Sequence, residues 1–420
     1  MKSRNIIITT LLLLVCLSAQ AQRNEIYNER IRTVQVVVNN DWLAMPVMTL
    51  GGNDLLEIKF DDLTHDYHRY VYKVEHCEAD WTVSKEIFES AYLEGFNGAT
   101  FEDVAMESLN TTVLYSHYNI RIPNGDCRLK MSGNYRLTVY DEDAGEAMFC
   151  ACFMVVEPLM GVSLTVSSNT DIDVNRSHQQ VDMTLVYNTV NSRQRINVTD
   201  PFTQIYTVVM QNGRRDNAVI NVKPNYIQND RLVWTHNKDL IFNGGNEYLK
   251  FEMFNPHVTS MGIDSTRFIS NYYHTFLIPV EARRNYLYDE TPHGAFYIRN
   301  WDNTDSEYLC DYHWVHYSIM SPEMPGDVYI EGVWTNNTFS DEYKMHYNHR
   351  KGCYEATILQ KEGYYSYQAL MSKDGVHGTP LPSHGNFFET QNEYQAMIYY
   401  RSPSDRTWRL VGYQSTIFKD

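Results

Sequence analysis

Long apolar runs are scarce in this sequence. After the run that ends at Leu17, no segment reaches the about twenty apolar residues that a transmembrane helix needs. Positive charge is scarce as well, because 35 lysines and arginines face 52 aspartates and glutamates, a formal net charge of -17. Nucleic acids and anionic lipid headgroups would repel such a surface. The composition therefore argues against nucleic acid as a partner and against direct membrane insertion of the mature chain.

Catalytic signatures are missing too. The sequence contains no G-x-S-x-G elbow, H-E-x-x-H helix, Walker loop or G-x-G-x-x-G after a strand. His65 and His68 lie three residues apart in a strand or loop segment, where a strand would point their rings to opposite faces. Asp302 and Asp305 beside Trp301 are the best carboxylate pair for a glycosidase, but a hydrogen-bonded loop explains them as well. We therefore expect no enzyme activity, catalytic residue, cofactor or metal ligand.

The N-terminus has the features of a secretory signal. Lys2 and Arg4 precede the apolar residues 6–17, and the small residues 18–21, SAQA, follow. A basic, an apolar and a small-residue region in this order are typical of a cleaved signal peptide. We predict residues 1–21 as the signal peptide, Gln22 as the first mature residue and the periplasm as the location.

Six cysteines remain after the signal. An oxidising compartment permits disulfides, but the sequence does not choose among the many pairings of six cysteines. Cys150 and Cys152 lie two residues apart in a predicted strand, so they share a face and are poorly placed to bridge each other. A single C-x-C is a weak metal signal, and buried thiols or one disulfide are favoured over zinc. The six are Cys77, Cys127, Cys150, Cys152, Cys310 and Cys353.

Alternating side chains predict a chain built from strands. Residues 56–61, LEIKFD, and 70–75, YVYKVE, alternate or nearly alternate, and the polar turn between them predicts an antiparallel hairpin with one face in a core. Similar segments recur to the C-terminus, and the 32 tyrosines suit strands with partly covered outer faces. The pattern predicts an all-β fold of tandem immunoglobulin-like β-sandwich domains. We place these domains at residues 22–158, 159–284 and 285–420.

The last predicted domain has a short likeness to other sandwiches. Residues 326–336, GDVYIEGVWTN, followed by a hairpin and residues 361–371, KEGYYSYQALM, are similar to the early-set domains that bind glycogen or starch. The likeness implies an alternative function as a carbohydrate-binding periplasmic or surface protein. Trp334 and Trp301 would then stack on a sugar ring. A core tryptophan is the favoured interpretation.

A longer, ordered set of segments resembles the type IX secretion system plug protein family. Residues 60–63, FDDL, 75–81, EHCEADW, and 91–98, AYLEGFNG, resemble its first domain, and the likeness continues to residues 387–401, FFETQNEYQAMIYYR. It implies a non-enzymatic periplasmic plug that closes the periplasmic mouth of an outer-membrane translocon pore when no substrate passes. The pore protein would be the partner and would hold the plug at the outer membrane. The resemblance carries over no binding residues, because the matching segments have core and turn character.

Overall fold

The computed structural model describes residues 24–98, 106–187 and 196–419. Strands dominate this part of the chain, and the helices are single turns. The turns are Glu89–Tyr92 (α1), Pro201–Gln204 (α2) and Ser306–Leu309 (α3), with 3-10 turns at Lys238–Leu240, Val333–Thr335, Asp341–Tyr343 and Pro382–His384. No helix in the described ranges is long and apolar enough to cross a membrane. The all-β prediction is confirmed, the immunoglobulin-like topology stays a prediction, and the predicted signal peptide lies outside the described residues.

Eleven strands build the first unit. Their bounds are Glu25–Ile26 (β1), Ile31–Val38 (β2), Val47–Thr49 (β3), Leu56–Asp62 (β4), Tyr70–Cys77 (β5), Leu93–Gly95 (β6), Met106–Glu107 (β7), Ser116–Ile122 (β8), Cys127–Leu129 (β9), Gly133–Asp141 (β10) and Ala147–Val156 (β11). One sheet has the order β1-β11-β10-β5 with β3 beside β11, the other has the order β2-β4-β8-β7, and β6 pairs with β9. A common core joins both large sheets, and in it Phe60 stacks on Tyr118 with ring centroids 5.1 Å apart. This arrangement buries the apolar side of each sheet.

The predicted hairpin of residues 56–75 is not formed. Its two strands exist, but β4 pairs with β2 and β8, whereas β5 pairs with β10 in the other sheet. Alternation identifies a strand without identifying its neighbour, so the hairpin prediction is wrong in its pairing. The outer face of β4 is not open to water either, because Glu57 and Asp61 are buried.

Seven strands continue the chain into the second unit. Their bounds are Gly161–Ser167 (β12), His178–Val186 (β13), Ile205–Gln211 (β14), Val219–Ile220 (β15), Tyr226–Gln228 (β16), Arg231–Trp234 (β17) and Ile241–Asn243 (β18). One sheet has the order β12-β13-β17-β16, with β18 beside β13, while β14 and β15 belong to a second sheet. The buried Trp234 lies in the core of this unit and donates its indole N–H to the carbonyl of Val222 at 2.8 Å.

Ten strands form a single large sheet in the third unit. Their bounds are Leu249–Met253 (β19), Ile263–Ile269 (β20), Tyr272–Leu277 (β21), Phe296–Ile298 (β22), Tyr312–Met320 (β23), Asp327–Glu331 (β24), Lys344–Asn348 (β25), Cys353–Lys361 (β26), Gly363–Ser372 (β27) and Gly378–Pro380 (β28). The order is β19-β27-β24-β25-β26-β23-β21-β20, with β22 and β28 beside β27. Phe251 of β19 nevertheless contacts Tyr317 of β23, with ring centroids 6.0 Å apart. The sheet therefore curls over one core and leaves β20 at its edge.

The chain finally returns to the second unit. Glu393–Tyr400 (β29) and Arg409–Ile417 (β30) complete a sheet of order β15-β14-β29-β30. Tyr394 of β29 packs on Phe242 with ring centroids 5.4 Å apart, inside the core that contains Trp234. The boundary predicted between residues 284 and 285 therefore separates strands that pair with one another. Pairing between distant segments leaves no local signal in the sequence.

Candidate functional site

A buried group of charged and hydroxyl side chains joins the first unit to the third. We call it the polar junction and define it by Asp61, His117, Tyr312 and Lys361. Both Asp61 of β4 and Lys361 of β26 have side chains about 1% exposed, and their charged atoms lie 2.6 Å apart. The Asp61 carboxylate also accepts hydrogen bonds from His117 Nδ1 at 2.6 Å and from the Tyr312 hydroxyl at 2.6 Å. One carboxylate thus binds three partners, two of them from the third unit.

The electrostatics of the polar junction follow from this pairing. Burial alone would raise the pKa of the Asp61 carboxyl, but Lys361 and His117 stabilise the anion and hold the pKa below its usual value. Burial and the nearby Asp61 raise the pKa of the Tyr312 hydroxyl well above its usual value. Lys361 also donates to the carbonyl of Glu307 at 2.7 Å and lies 4.0 Å from the ring centre of Tyr115. The ammonium is therefore compensated on several sides.

Hydrogen bonds between side chains and backbone extend the polar junction to the residues just before β23. The Asp311 carboxylate accepts hydrogen bonds from the backbone N–H groups of Thr112 at 2.7 Å and Val113 at 3.1 Å. The Tyr115 hydroxyl donates to the carbonyl of Cys310 at 2.8 Å. Because these bonds satisfy buried donors and acceptors of both units, sliding one unit against the other would leave several polar groups unpaired.

The first unit meets the second through a different surface. We call it the apolar junction, and its buried members come from β11, from the loop after β5 and from the second sheet of the second unit. The Tyr399 hydroxyl adds one directional contact, a hydrogen bond to Asn134 Oδ1 at 2.8 Å. The members are Ala79, Trp81, Cys152, Met154, Val156, Val208, Met210, Met397, Tyr399 and Leu410. Such packing holds the two units together by burial of apolar area.

The hairpin of β20 and β21 presents apolar side chains to solvent at the edge of the large sheet. We call Phe268, Ile269 and Tyr272 the hairpin surface, and these side chains are 58%, 42% and 42% exposed. In the described part of the chain β20 pairs with β21 alone, so one row of its backbone groups is not bonded to another strand. An apolar edge strand is a recurrent docking site for other proteins. Nothing in the local sequence marks β20 as an edge strand, because its place in the sheet depends on pairing between distant segments.

A protein-family model and a solved structure both match this chain. Residues 31–157 match the model of the type 9 secretion system plug protein 1st domain. The chain belongs to the type IX secretion system plug protein family. A hypothetical protein from Parabacteroides merdae ATCC 43184, solved as a crystal structure, is 37% identical, with a TM-score of 0.89 over 95% of this chain and 100% of its own. The family gives the chain a role in type IX secretion.

Two further comparisons concern a solved structure of a DNA glycosylase and the curated proteins. An alkylpurine DNA glycosylase, AlkC of Pseudomonas fluorescens bound to DNA with an abasic site analogue, aligns over 30% of this chain and 30% of its own at 15% identity. Its TM-score is 0.16. No curated protein matches the chain.

The two tryptophans of the carbohydrate interpretation lie in different environments of this plug-family chain. Trp301 is 57% exposed and packs beside Phe254, with ring centroids 5.2 Å apart. Trp334 is 9% exposed, donates its indole N–H to the carbonyl of Ser366 at 3.1 Å and meets Tyr365 edge-on. Its ring faces are thus occupied by the core, whereas Trp301 is open to solvent on the exposed loop before α3.

The cysteines and acidic residues show no shared site within the described ranges. All six cysteines of the described residues are buried, and burial raises the pKa of the Cys77 and Cys127 thiols to about 12. Asp302 and Asp305 lie on the exposed loop before α3. No group of three or more histidine, cysteine, aspartate or glutamate side chains is arranged to hold a metal ion in the part of the chain that the structure describes. In the polar junction, the Asp61 carboxylate is paired with Lys361 and bonded to His117.

Proposed function

We propose that this chain is a periplasmic plug that seats in the periplasmic opening of the type IX outer-membrane translocon pore and seals it without catalysing a reaction. The family match over residues 31–157 is the observation that carries the proposal. The secretory features of residues 1–21 support export to the periplasm. The net charge of -17 supports a protein partner rather than nucleic acid or an anionic lipid surface.

A protein that seals a pore must be rigid, so its domains must be fixed to one another. The polar junction fixes the first unit to the third by bonds with defined geometry, and the apolar junction fixes it to the second by packing. We divide the body into a first domain, residues 22–158, a discontinuous second domain, residues 159–246 and 390–420, and an inserted third domain, residues 247–389. The first domain contacts both others and is the centre of the body.

The hairpin surface is the part of this body best suited to contact the pore. It combines exposed apolar side chains with free backbone groups on β20, which can pair with an extended segment of a partner. Release then follows when the pore adopts a conformation with lower affinity for the plug, since a partner shifts an equilibrium only by its differential affinity for the two states.

Permeability of the outer membrane tests the sealing role. A strain that lacks this chain and retains the translocon should admit a large antibiotic such as vancomycin, and re-expression of the chain should exclude it again. Phe268→Ser with Ile269→Ser should restore exclusion only weakly, whereas Val376→Ser, at another exposed apolar position of the third unit, should restore it fully. An outer membrane as impermeable in the deletion strain as in the parent would overturn the proposal.

Co-purification tests the partner. The tagged chain should bring the outer-membrane pore protein out of a detergent extract, and the hairpin variant should bring out less of it. Recovery of the pore at equal yield with the parent chain and the hairpin variant would show that the hairpin surface is not part of the interface, and the sealing role would still stand.

A further inference from the structure

A cleft with a volume of about 400 Å³ lies beside the polar junction, between the first and third units. It is open to solvent and large enough for a small ligand. Strand β2 carries a bulge between Arg32 and Gln35, and this irregularity lies at the wall of the cleft. Its lining includes Gln35, Asn40, Trp42, Lys59, Tyr297 and Glu307.

One wall of the cleft is aromatic. The ring of Trp42 lies 5.4 Å from that of Tyr297 at an interplanar angle of 36°, and Tyr364 supports it edge-on at 6.1 Å. Trp42 and Tyr297 are both partly exposed. Two rings from different units thus form an apolar platform with one side in contact with solvent, which suits a ligand that has a flat apolar face.

The charged side chains at the cleft are already paired. Lys59 Nζ lies 3.8 Å from a carboxylate oxygen of Glu307 and 3.9 Å from one of Glu57. Lys361 lies 2.6 Å from Asp61. An ionic ligand would meet the opposite charge only by disrupting one of these pairs, so the cleft favours a neutral ligand.

Unused hydrogen-bonding groups surround the aromatic wall. Within the described ranges, the side-chain amides of Gln35 and Asn40 make no hydrogen bond to another residue of the chain. His117 also lines the cleft, is 5% exposed, and has no partner at Nε2 in that part of the chain. Because its Nδ1 faces the Asp61 carboxylate, Nε2 is the ring nitrogen left for a ligand. Donors and acceptors are therefore both available to hydroxyl groups.

We propose that this cleft binds a neutral sugar, with Trp42 and Tyr297 against the apolar face of the ring and Gln35, Asn40 and His117 bonded to its hydroxyl groups. A sugar ring combines a patch of C–H groups with neutral hydroxyls, and the cleft offers the complement of both. The lining of the cleft includes neither Trp301 nor Trp334 and no residue of the hairpin surface. The proposed site therefore does not depend on the sealing role. Sugar binding would make the junction between the first and third units sensitive to the glycans around the protein.

Saturation-transfer NMR on the purified mature chain tests this site with maltose, cellobiose and N-acetylglucosamine as probes. At least one of these sugars should receive saturation. Trp42→Ala should weaken its binding roughly tenfold, the loss expected for one stacking contact. Gln35→Ala should weaken it as well, and this variant leaves the aromatic packing in place. Trp301→Ala, which removes the exposed tryptophan outside the cleft, should bind the sugar as the parent does.

Each outcome decides the proposal. Loss in Trp42→Ala and Gln35→Ala with retention in Trp301→Ala supports it, provided that circular dichroism shows both cleft variants folded. Failure of all three sugars to bind the parent overturns it. Loss in Trp301→Ala with retention in Trp42→Ala also overturns it, because the sugar would then bind at the loop before α3.

Discussion

The first unit meets its two neighbours through opposite kinds of chemistry. Against the third unit it places a buried carboxylate with three bonded partners, and against the second it places tryptophan, methionine and valine side chains. Apolar packing supplies adhesion and tolerates changes that conserve volume. A buried ion pair is expensive to desolvate and adds little net stability, but it accepts only one geometry. The apolar junction therefore supplies most of the adhesion between units, whereas the polar junction fixes the relative position of the first and third units.

Removal of the Lys361 ammonium should cause the largest loss of stability at the two junctions. In Lys361→Met the Asp61 carboxylate stays buried without its cation, and we expect a loss of about 3–5 kcal/mol in the free energy of unfolding. Urea unfolding followed by tyrosine and tryptophan fluorescence measures it. The double variant Asp61→Leu with Lys361→Met should recover most of the loss. A single variant as stable as the parent would show that Asp61 is not held by Lys361.

Removal of one hydroxyl from the polar junction should have a smaller effect. Tyr312→Phe deletes the hydrogen bonds of 2.6 Å to Asp61 and 2.6 Å to Thr33 while it keeps the ring in place. We expect a loss of about 1.5–3 kcal/mol, the range for hydrogen bonds to charged groups. Tyr347→Phe, in the same unit but outside the junction, is the matched control and should stay within about 0.5 kcal/mol of the parent. Equal losses in the two variants would contradict a special role for Tyr312.

Acid should weaken the polar junction and spare the apolar one. The pKa of Asp61 is lowered in the folded chain, so its contribution is present above the unfolded value of 3.8 and is lost as the pH falls through the folded value. The slope of unfolding free energy against pH in this acid range should therefore be shallower in Asp61→Asn than in the parent, by at most about 1.4 kcal/mol per pH unit. Met210→Leu is the control and should keep the parent's slope. Parallel slopes in parent and Asp61→Asn would refute the assignment.

The smallest effect should come from a volume-conserving change in the apolar junction. Met210→Leu keeps an apolar side chain of similar size among its neighbours, and we expect a loss below about 1.5 kcal/mol. Thermal unfolding measures it. If this variant loses as much stability as Lys361→Met, the apolar junction is as geometrically demanding as the polar one, and the contrast between the two fails.

The sequence revealed strands more readily than their partners. The alternation in β4 and β5 located both strands, because side-chain direction repeats every two residues. The same rule assigned Asp61 to water, since it alternates with Phe60 on the polar side of the strand. Its partner Lys361 lies 300 residues away, and no local pattern reports a contact over that distance. The family resemblance was readable because it depends on the order of segments, which needs no knowledge of pairing.

The candidate surfaces were less accessible to sequence analysis. Phe268 and Ile269 belong to a regular strand, and only the place of β20 at the end of the sheet exposes them. Trp42 was not singled out, because its partner Tyr297 is supplied by another unit. The tryptophans that were singled out stood in a recognisable segment or beside acidic residues. Surfaces made by the meeting of distant segments therefore require the fold before they can be found.

The position of β29 and β30 has a consequence for biogenesis. These strands follow the whole third unit in the chain, yet β29 is the neighbour of β14, which precedes that unit. Until they arrive, β14 has an open edge of the kind that attracts wrong partners. The inserted third unit can close earlier on its own strands. Completion of the second unit therefore waits for β29 and β30, and a chain without them would leave β14 without its neighbour.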